Sequence, residues 1–248
     1  MIACSHPSNR NDWYNIDIEY LIRKIKKLSK NEHCSVYLHC TLNNMGITER
    51  KERERVEMKQ RIIDASIEMF LQEGYEKTSI RNIAEKIEYS PATIYLYYKD
   101  KDELLYDVQG QAFEKLYQAF EENAKSKDPL KRLEQIMLTY VRFGKKNPEL
   151  YDLMFIIRAP MNVMEEKELW TNGHDCFGFL VQCITECIEK KLINFDDARI
   201  AALSVWAMGH GLVALDLRCR FKVMELDDEA VAAIIEKSIR EYHQLIKK

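Results

Sequence analysis

Between Thr78 and Lys101 the sequence reads TSIRNIAEKIEYSPATIYLYYKDK, and several of its side chains have the types and spacing to touch nucleic acid. Arg81 carries a planar guanidinium that can bond O6 and N7 of one guanine together, while Pro91 and Ala92 offer only apolar contact, which suits a thymine methyl group. Thr93, Tyr95 and Tyr97 present hydroxyls, and Lys101 an ammonium placed at a helix start where it can pair with a phosphate. To act together these groups must share an exposed face. Ile94 and Tyr98, four residues apart, are expected to point into a small core, which turns Pro91, Ala92 and Tyr95 outward and leaves Thr93 and Tyr97 on the flank.

A second inventory lies further along the chain. Tyr140, Phe143, Phe155, Trp170, Phe177 and Trp206, with Met154, Met161 and Met164, supply enough soft and aromatic surface to line an apolar cavity. The same residues would also serve an ordinary packed core. His210 sits mid-helix among glycines and needs a hydrogen-bond partner, either a ligand or a neighbouring side chain. Cys183 and Cys187, four apart on one helix face with Cys176 and His174 nearby, have a spacing that permits metal or thiol sensing. No closed four-ligand set accompanies them, and buried helical cysteines commonly act as small hydrophobes, so neither a metal site nor a cofactor is expected. The chain has no phosphate-binding glycine loop, no HExxH and no nucleophile elbow; nothing points to an enzyme.

Helices must position these groups. Ala, Leu, Glu, Lys and Met are abundant, and the 8 glycines and 5 prolines fall mostly between periodic segments, so the expected class is all-α with no sheet. A long helix over 50–74 ends at Gly74, whose missing Cβ suits a left-handed C-cap. Ser79 caps the next helix, and Ser90-Pro91 starts a third. Asp100 and Glu103 form a capping box for a long fourth, Asp128-Pro129 opens a fifth, and Asn147-Pro148 a short sixth. A seventh helix is expected from about 166 to 191 with Phe177, Val181, Ile184 and Ile188 together, an eighth after Asp196 and a ninth after Asp227. Two short helices joined by a four-residue connection after a long one make the sequence form of a helix-turn-helix.

Residues 78–108, with the helix before them, closely resemble the DNA-binding domain of the TetR family. The resemblance runs from Lys59 to Val108 through the spacing of Ile63, Ala65, Phe70 and Gly74, then Thr78-Ser79, Ile83-Ala84, Ser90, Thr93-Ile94-Tyr95, Tyr97-Tyr98, Lys101 and Leu104. It implies a three-helix reading head in which Arg81, Pro91, Ala92, Thr93 and Tyr95 approach bases while Tyr97 and Lys101 hold the backbone. Two positions depart from the pattern: Glu88 stands where the turn usually has glycine, and Tyr98 replaces a usual phenylalanine. Trp206, His210 and Gly211 resemble the Trp-His-Gly class of TetR C-terminal domains. The partners thereby implied are double-stranded operator DNA, an unidentified small-molecule effector and a second copy of the chain, and the implied role is a repressor released by its effector.

Three domains are expected: an extension at 1–44, a reading head at 45–101 and a helical sensing and dimerisation domain at 102–248. The extension, rich in His, Cys, Asn and Ser, reads as a tail or an over-long start upstream of Met45-Gly46, against the alternative of a docked segment using the Ile18–Leu28 stripe. Within 197–218, Ala207, Gly211 and Ala214 form a small-residue stripe, and Val231, Ile235, Ile239, Tyr242 and Ile246 follow on the last helix. Two such helices suit pairing with their own copies. Charge gives no announcement, since 37 basic residues face 40 acidic ones, and between Glu49 and Lys101 the two signs balance. The ERKERER run at Glu49–Arg55 reads either as an arm along a DNA backbone or as a solvated helix start. Seven cysteines without close spacing indicate reduced thiols. No apolar stretch is expected to approach membrane-spanning length and no secretory signal is evident, so the chain is expected in the cytoplasm.

Overall fold

The computed structural model describes the backbone of residues 32–157 and 173–248, with side chains from Thr48 onward. Trp170, Met161, Met164 and the Ile18–Leu28 stripe lie outside the described residues. Regular structure within them is helical, and the single extended pairing among them is an isolated bridge between Ile193 and Lys247. The helices are α1 (Glu32–Glu73), α2 (Ile80–Lys86), α3 (Pro91–Tyr95), α4 (Lys101–Asn123), α5 (Pro129–Lys146), α6 (Pro148–Phe155), α7 (His174–Glu189), α8 (Ala198–Leu217) and α9 (Asp228–Ile246), with a 3₁₀ turn at Arg220–Met224.

Most boundaries follow from caps. The hydroxyl of Ser79 accepts from Asn82 N–H, that of Ser90 from Thr93 N–H, and the carboxylates of Asp128, Asp197 and Asp227 do the same for α5, α8 and α9. Gly74 takes the expected left-handed conformation, φ 88°. The box at α4 differs from expectation in one bond. Asp100 accepts from Glu103 N–H at 2.8 Å, but Glu103 reaches back to the N–H of Lys99, at 2.6 Å, rather than to that of Asp100. A second difference is the start of α1: the helix crosses Met45-Gly46 without a break instead of beginning near residue 50. The chain divides into residues up to Met58 and residues from Lys59. In the first unit Glu49–Arg55 is exposed, with an Arg50–Glu54 pair at 2.8 Å one turn apart, consistent with a solvated helix.

In the second unit α5 is the central element, packed by α4, α6, α7, α8 and α9. Leu133, Ile136, Met137, Tyr140 and Val141 fill its contacts. One expected stripe proves to be rotated, and another keeps its face but is buried within the monomer. On α7 the buried face is Cys176, Leu180, Cys183, Ile184 and Cys187, while Phe177 is exposed and Val181 and Ile188 are only half-buried. On α9 the stripe Val231, Ile235, Ile239 and Ile246 is spent inside the monomer, where His243 joins it and bonds the Leu130 carbonyl at 2.9 Å. The small residues of α8 face outward as expected: Ala207 is exposed and Gly211 and Ala214 are half-buried. By length and composition alone, α8 could cross a membrane, contrary to the sequence expectation. Its buried residues Ala201, Ala202, Val205, Gly209 and Val213 instead pack on α5 and α7. Gly144 lets α5 and α8 approach closely, since a Cβ there would lie 2.6 Å from Val213 Cγ1.

Candidate functional site

Two groups of residues carry chemistry, one at each end of α4. The first is the pair α2 and α3, joined by residues 87–90. Glu88 occupies the left-handed region at φ 62°, as its place in the turn requires, at a cost of about 1 kcal/mol. Long side chains from α1 brace this turn: Arg61 donates to the Ile87 carbonyl at 3.3 Å and lies over the Tyr89 ring, and Lys86 pairs with Glu68 at 2.7 Å. Ile83, Ala84, Ile94 and Tyr98 are buried beneath. The Tyr98 hydroxyl does not need the surface, as it donates to Asp107 at 3.0 Å, and Asp107 in turn pairs with Lys59 at 2.7 Å. Burial, with Asp107 adding its negative charge, pushes that phenol far above its ordinary pKa.

This frame leaves Ala92 and Tyr95 exposed, Pro91, Thr93 and Tyr97 half-buried, and Arg81 extended from α2 with its Nε paired to Glu85 at 3.0 Å. The Thr93 hydroxyl is 3.1 Å from the capping hydroxyl of Ser90. Leu96, 79% exposed just beyond Tyr95, enlarges the apolar part of the face and was missed in the sequence because it continues no helical stripe. Lys101 is placed differently from the rest. Its ammonium donates to the carbonyls of Tyr75 and Thr78, at 2.9 and 3.1 Å, and sits 4.0 Å from the centre of the Tyr75 ring. The Tyr75 hydroxyl itself bonds Asp102.

The second group surrounds an apolar chamber of about 320 Å³. Of the residues expected there, Tyr140, Phe155, Phe177 and Trp206 line it. Phe143 does not, and Trp170 lies outside the described residues. His210 stands behind the wall, where its Nδ1 is 2.6 Å from the Tyr151 hydroxyl and 3.2 Å from that of Tyr140. Trp206 Nε1 donates to the same Tyr140 oxygen at 3.2 Å. The histidine's partners are thus neighbours within the fold, and burial lowers its pKa, so the imidazole is neutral. Expectation confined the chamber to helices five to eight. The structure adds α4, through Phe113, Leu116 and Phe120.

Cys183 and Cys187 are buried in the α5–α7 contact, with the Cys183 thiol donating to the Pro129 carbonyl at 3.4 Å. Hydrogen bonding to Cys183 and burial hold the Cys187 thiol well above its ordinary pKa. Among the described residues no group of three or more His, Cys, Asp or Glu is arranged to hold a metal.

Comparison with known proteins agrees with this division. Residues 62–108 match the model described as bacterial regulatory proteins, tetR family, and residues 133–240 match the tetracyclin repressor-like C-terminal domain. The chain is 26% identical to the transcriptional repressor KstR of Rhodococcus jostii over 126 residues, 51% of this chain and 58% of that protein. It is 33% identical to the fatty acid metabolism regulator protein of Bacillus subtilis over 73 residues, 28% of this chain and 38% of that protein. In both cases it spans less than two thirds of the relative. A TetR family transcription regulator from Marinobacter aquaeolei superimposes with a TM-score of 0.59 at 22% identity, covering 79% of this chain and 99% of that one, a likeness of fold.

Proposed function

The chain belongs to the TetR family of bacterial regulatory proteins, and we propose that it is a cytoplasmic homodimeric repressor that leaves its operator when a small, largely apolar molecule fills the chamber. In this reading 45–101 is the reading head and 102–248 the sensing and dimerisation domain, the latter of the Trp-His-Gly class. Arg81, Pro91, Ala92, Thr93 and Tyr95 approach bases, and Tyr97 and Lys101 approach phosphates. The role is binding rather than catalysis.

The observation that carries the proposal is the position of α4. Its first residues hold the reading head through Lys101 and Asp107, and its later residues Phe113, Leu116 and Phe120 form chamber wall. The short helix α6 supports the link, being clamped at three successive residues. Tyr151 bonds His210, Asp152 pairs with Arg218 at 2.8 Å, and the Leu153 carbonyl accepts from Gln109 of α4 at 2.7 Å. Phe155, at its end, faces the chamber and packs on the Phe113 ring. A ligand that displaces Phe155 therefore acts on α4 at two points. Tenfold release needs only about 1.4 kcal/mol of differential binding, which a few buried methylenes supply.

Selection of bound sequences from random duplex DNA should return an inverted repeat. A ligand that lowers affinity for it must have its own affinity lowered by saturating operator, by the same factor. Trp206→Phe should change ligand affinity and leave ligand-free operator binding intact. A ligand bound equally well with and without operator would refute the release mechanism.

A further inference from the structure

The outward face of α3 is apolar along its middle. Ile94 is fully buried, and successive residues of a helix are turned by about 100°, so Ala92 and Leu96, two residues to either side of it, point most directly away from the core. Four apart, they also lie one above the other. Leu96 follows the last residue of α3 but continues its winding, with φ −73°, ψ −18° and an N–H that bonds the Thr93 carbonyl at 3.3 Å. Its side chain is 79% exposed, and that of Tyr95 beside it 55%. We propose that Leu96 is a specificity-determining residue, which together with Ala92 packs on the 5-methyl groups of thymines in the major groove of the operator. The inference rests on α3 being the helix that reads DNA and adds the chemical feature of the bases that it selects.

Regulators of the TetR family bind operator DNA, and a helix-turn-helix places its second helix in the major groove. An isobutyl group neither donates nor accepts a hydrogen bond there. Guanine, cytosine and adenine present donors and acceptors in that groove, and thymine alone adds an apolar group, its 5-methyl. Set against N7, O6, N6 or N4, Leu96 would displace water without replacing its hydrogen bond, which is unfavourable. Against a phosphate it meets the same loss. Against a thymine methyl, two apolar surfaces leave water together. Thr93 and Tyr95 stand on the two flanks of the Ala92–Leu96 row, the Thr93 hydroxyl 3.1 Å from that of Ser90, so hydroxyls are available at the edges of the face and not along its middle. The small core beneath is completed by Ile83, Ala84, Ile94 and Tyr98, and it makes no use of Leu96. A large aliphatic side chain held in water at this place is accounted for by the duplex on which the helix docks.

The test uses the full chain and the duplex that it selects from random DNA, with each thymine of the half-sites replaced in turn by deoxyuridine, which keeps base pairing and loses only the methyl. Each replacement is made in both half-sites. At the thymine that Leu96 touches, the wild type should lose affinity by about tenfold or more, since one methyl is worth about fourfold and two half-sites contribute. Leu96→Ala should bind the unmodified duplex more weakly by at least that factor and be nearly indifferent to the same replacement, while staying sensitive at thymines held by other residues. Leu96 is exposed, so the variant should keep the wild-type melting temperature. If every replacement weakens wild type and Leu96→Ala by the same factor, the methyl assignment is overturned and the rest of α3 keeps its role. Half-sites without thymine, or a Leu96→Ala variant that binds as tightly as the wild type, would overturn it in the same way. If selection returns no preferred sequence at all, the reading of α3 falls and this inference with it.

Discussion

Arg81 and Lys101 were read from the sequence as two kinds of DNA contact, and their surroundings now separate them further. Arg81 makes one exposed i,i+4 pair, of a type worth about 0.3–0.5 kcal/mol. Lys101 satisfies two backbone carbonyls more than twenty residues away, in a half-buried position. Arg81→Ala should therefore leave thermal stability nearly unchanged and relax operator specificity by about 1–3 kcal/mol, measured as the ratio of operator to random-sequence affinity. Lys101→Ala should lower the melting temperature as well as weakening all duplexes alike. Equal losses of both variants on operator and random DNA would remove Arg81 from the bases. Short-range features such as the Ser79 and Ser90 caps were legible because both partners sit within one turn; the Lys101 contacts and the Tyr98–Asp107 bond were not, because they form only when distant segments meet. His210 adds a pH dependence. Burial lowers its folded pKa below the ordinary 6.5, so the unfolded chain takes up the proton first as pH falls. Its contribution to stability is complete above 6.5 and declines as pH drops through that value towards the lowered one. Urea midpoints at about pH 7.5 and about pH 5.5 should differ more for the wild type than for His210→Gln, and parallel profiles would assign the titration elsewhere.

At the scale of elements, the periodic pattern located the helices and left their rotation ambiguous. On α7 the sequence put Phe177, Val181, Ile184 and Ile188 on one face, yet three cysteines with Leu180 and Ile184 form the buried face and Phe177 lines the chamber, the other use its aromatic ring suggested. A helix flanked on two sides has more than one apolar arc, and periodicity does not say which neighbour each arc meets. The same holds for α9, whose stripe was matched to a second copy and is filled by α5 of its own. Glycines are more informative once the fold is known. At Gly144 an added methyl would lie 2.6 Å from Val213 and 3.2 Å from the Tyr151 ring, forcing α5 and α8 apart. Gly144→Ala should cost about 1–3 kcal/mol in urea unfolding. Val213→Ala in the same chain should recover part of that loss, because it removes the methyl that is struck. An undiminished loss in the double variant would show that the strain lies in the backbone instead of in this contact.

For the whole molecule, motif order led to the expected extension, reading head and helical sensing domain, whereas a candidate surface for pairing two copies is visible only once the residues buried within the monomer are known. What α8 retains outside is substantial: Ile200 is 61% exposed and Leu203 57%, and Ala207 continues their row at helical spacing. Large aliphatic side chains left in water beside small ones, on a helix otherwise packed on α5 and α7, form a surface suited to a symmetric helix pair. Ile200→Glu with Leu203→Glu should therefore yield a monomer by sedimentation, with α5 and the reading head still folded because neither residue is buried in the monomer. Two heads on one body bind an inverted repeat with an advantage of about 10²–10⁴ over one head, through effective concentration alone. The monomeric variant should accordingly bind the full operator no more tightly than a single half-site, and half-site affinity itself should match that of the wild-type head. A variant that remains dimeric would move the interface off this row of α8. A monomer that holds the full operator as firmly as the wild type would show that the operator is read by one subunit, and the inverted repeat would lose its basis.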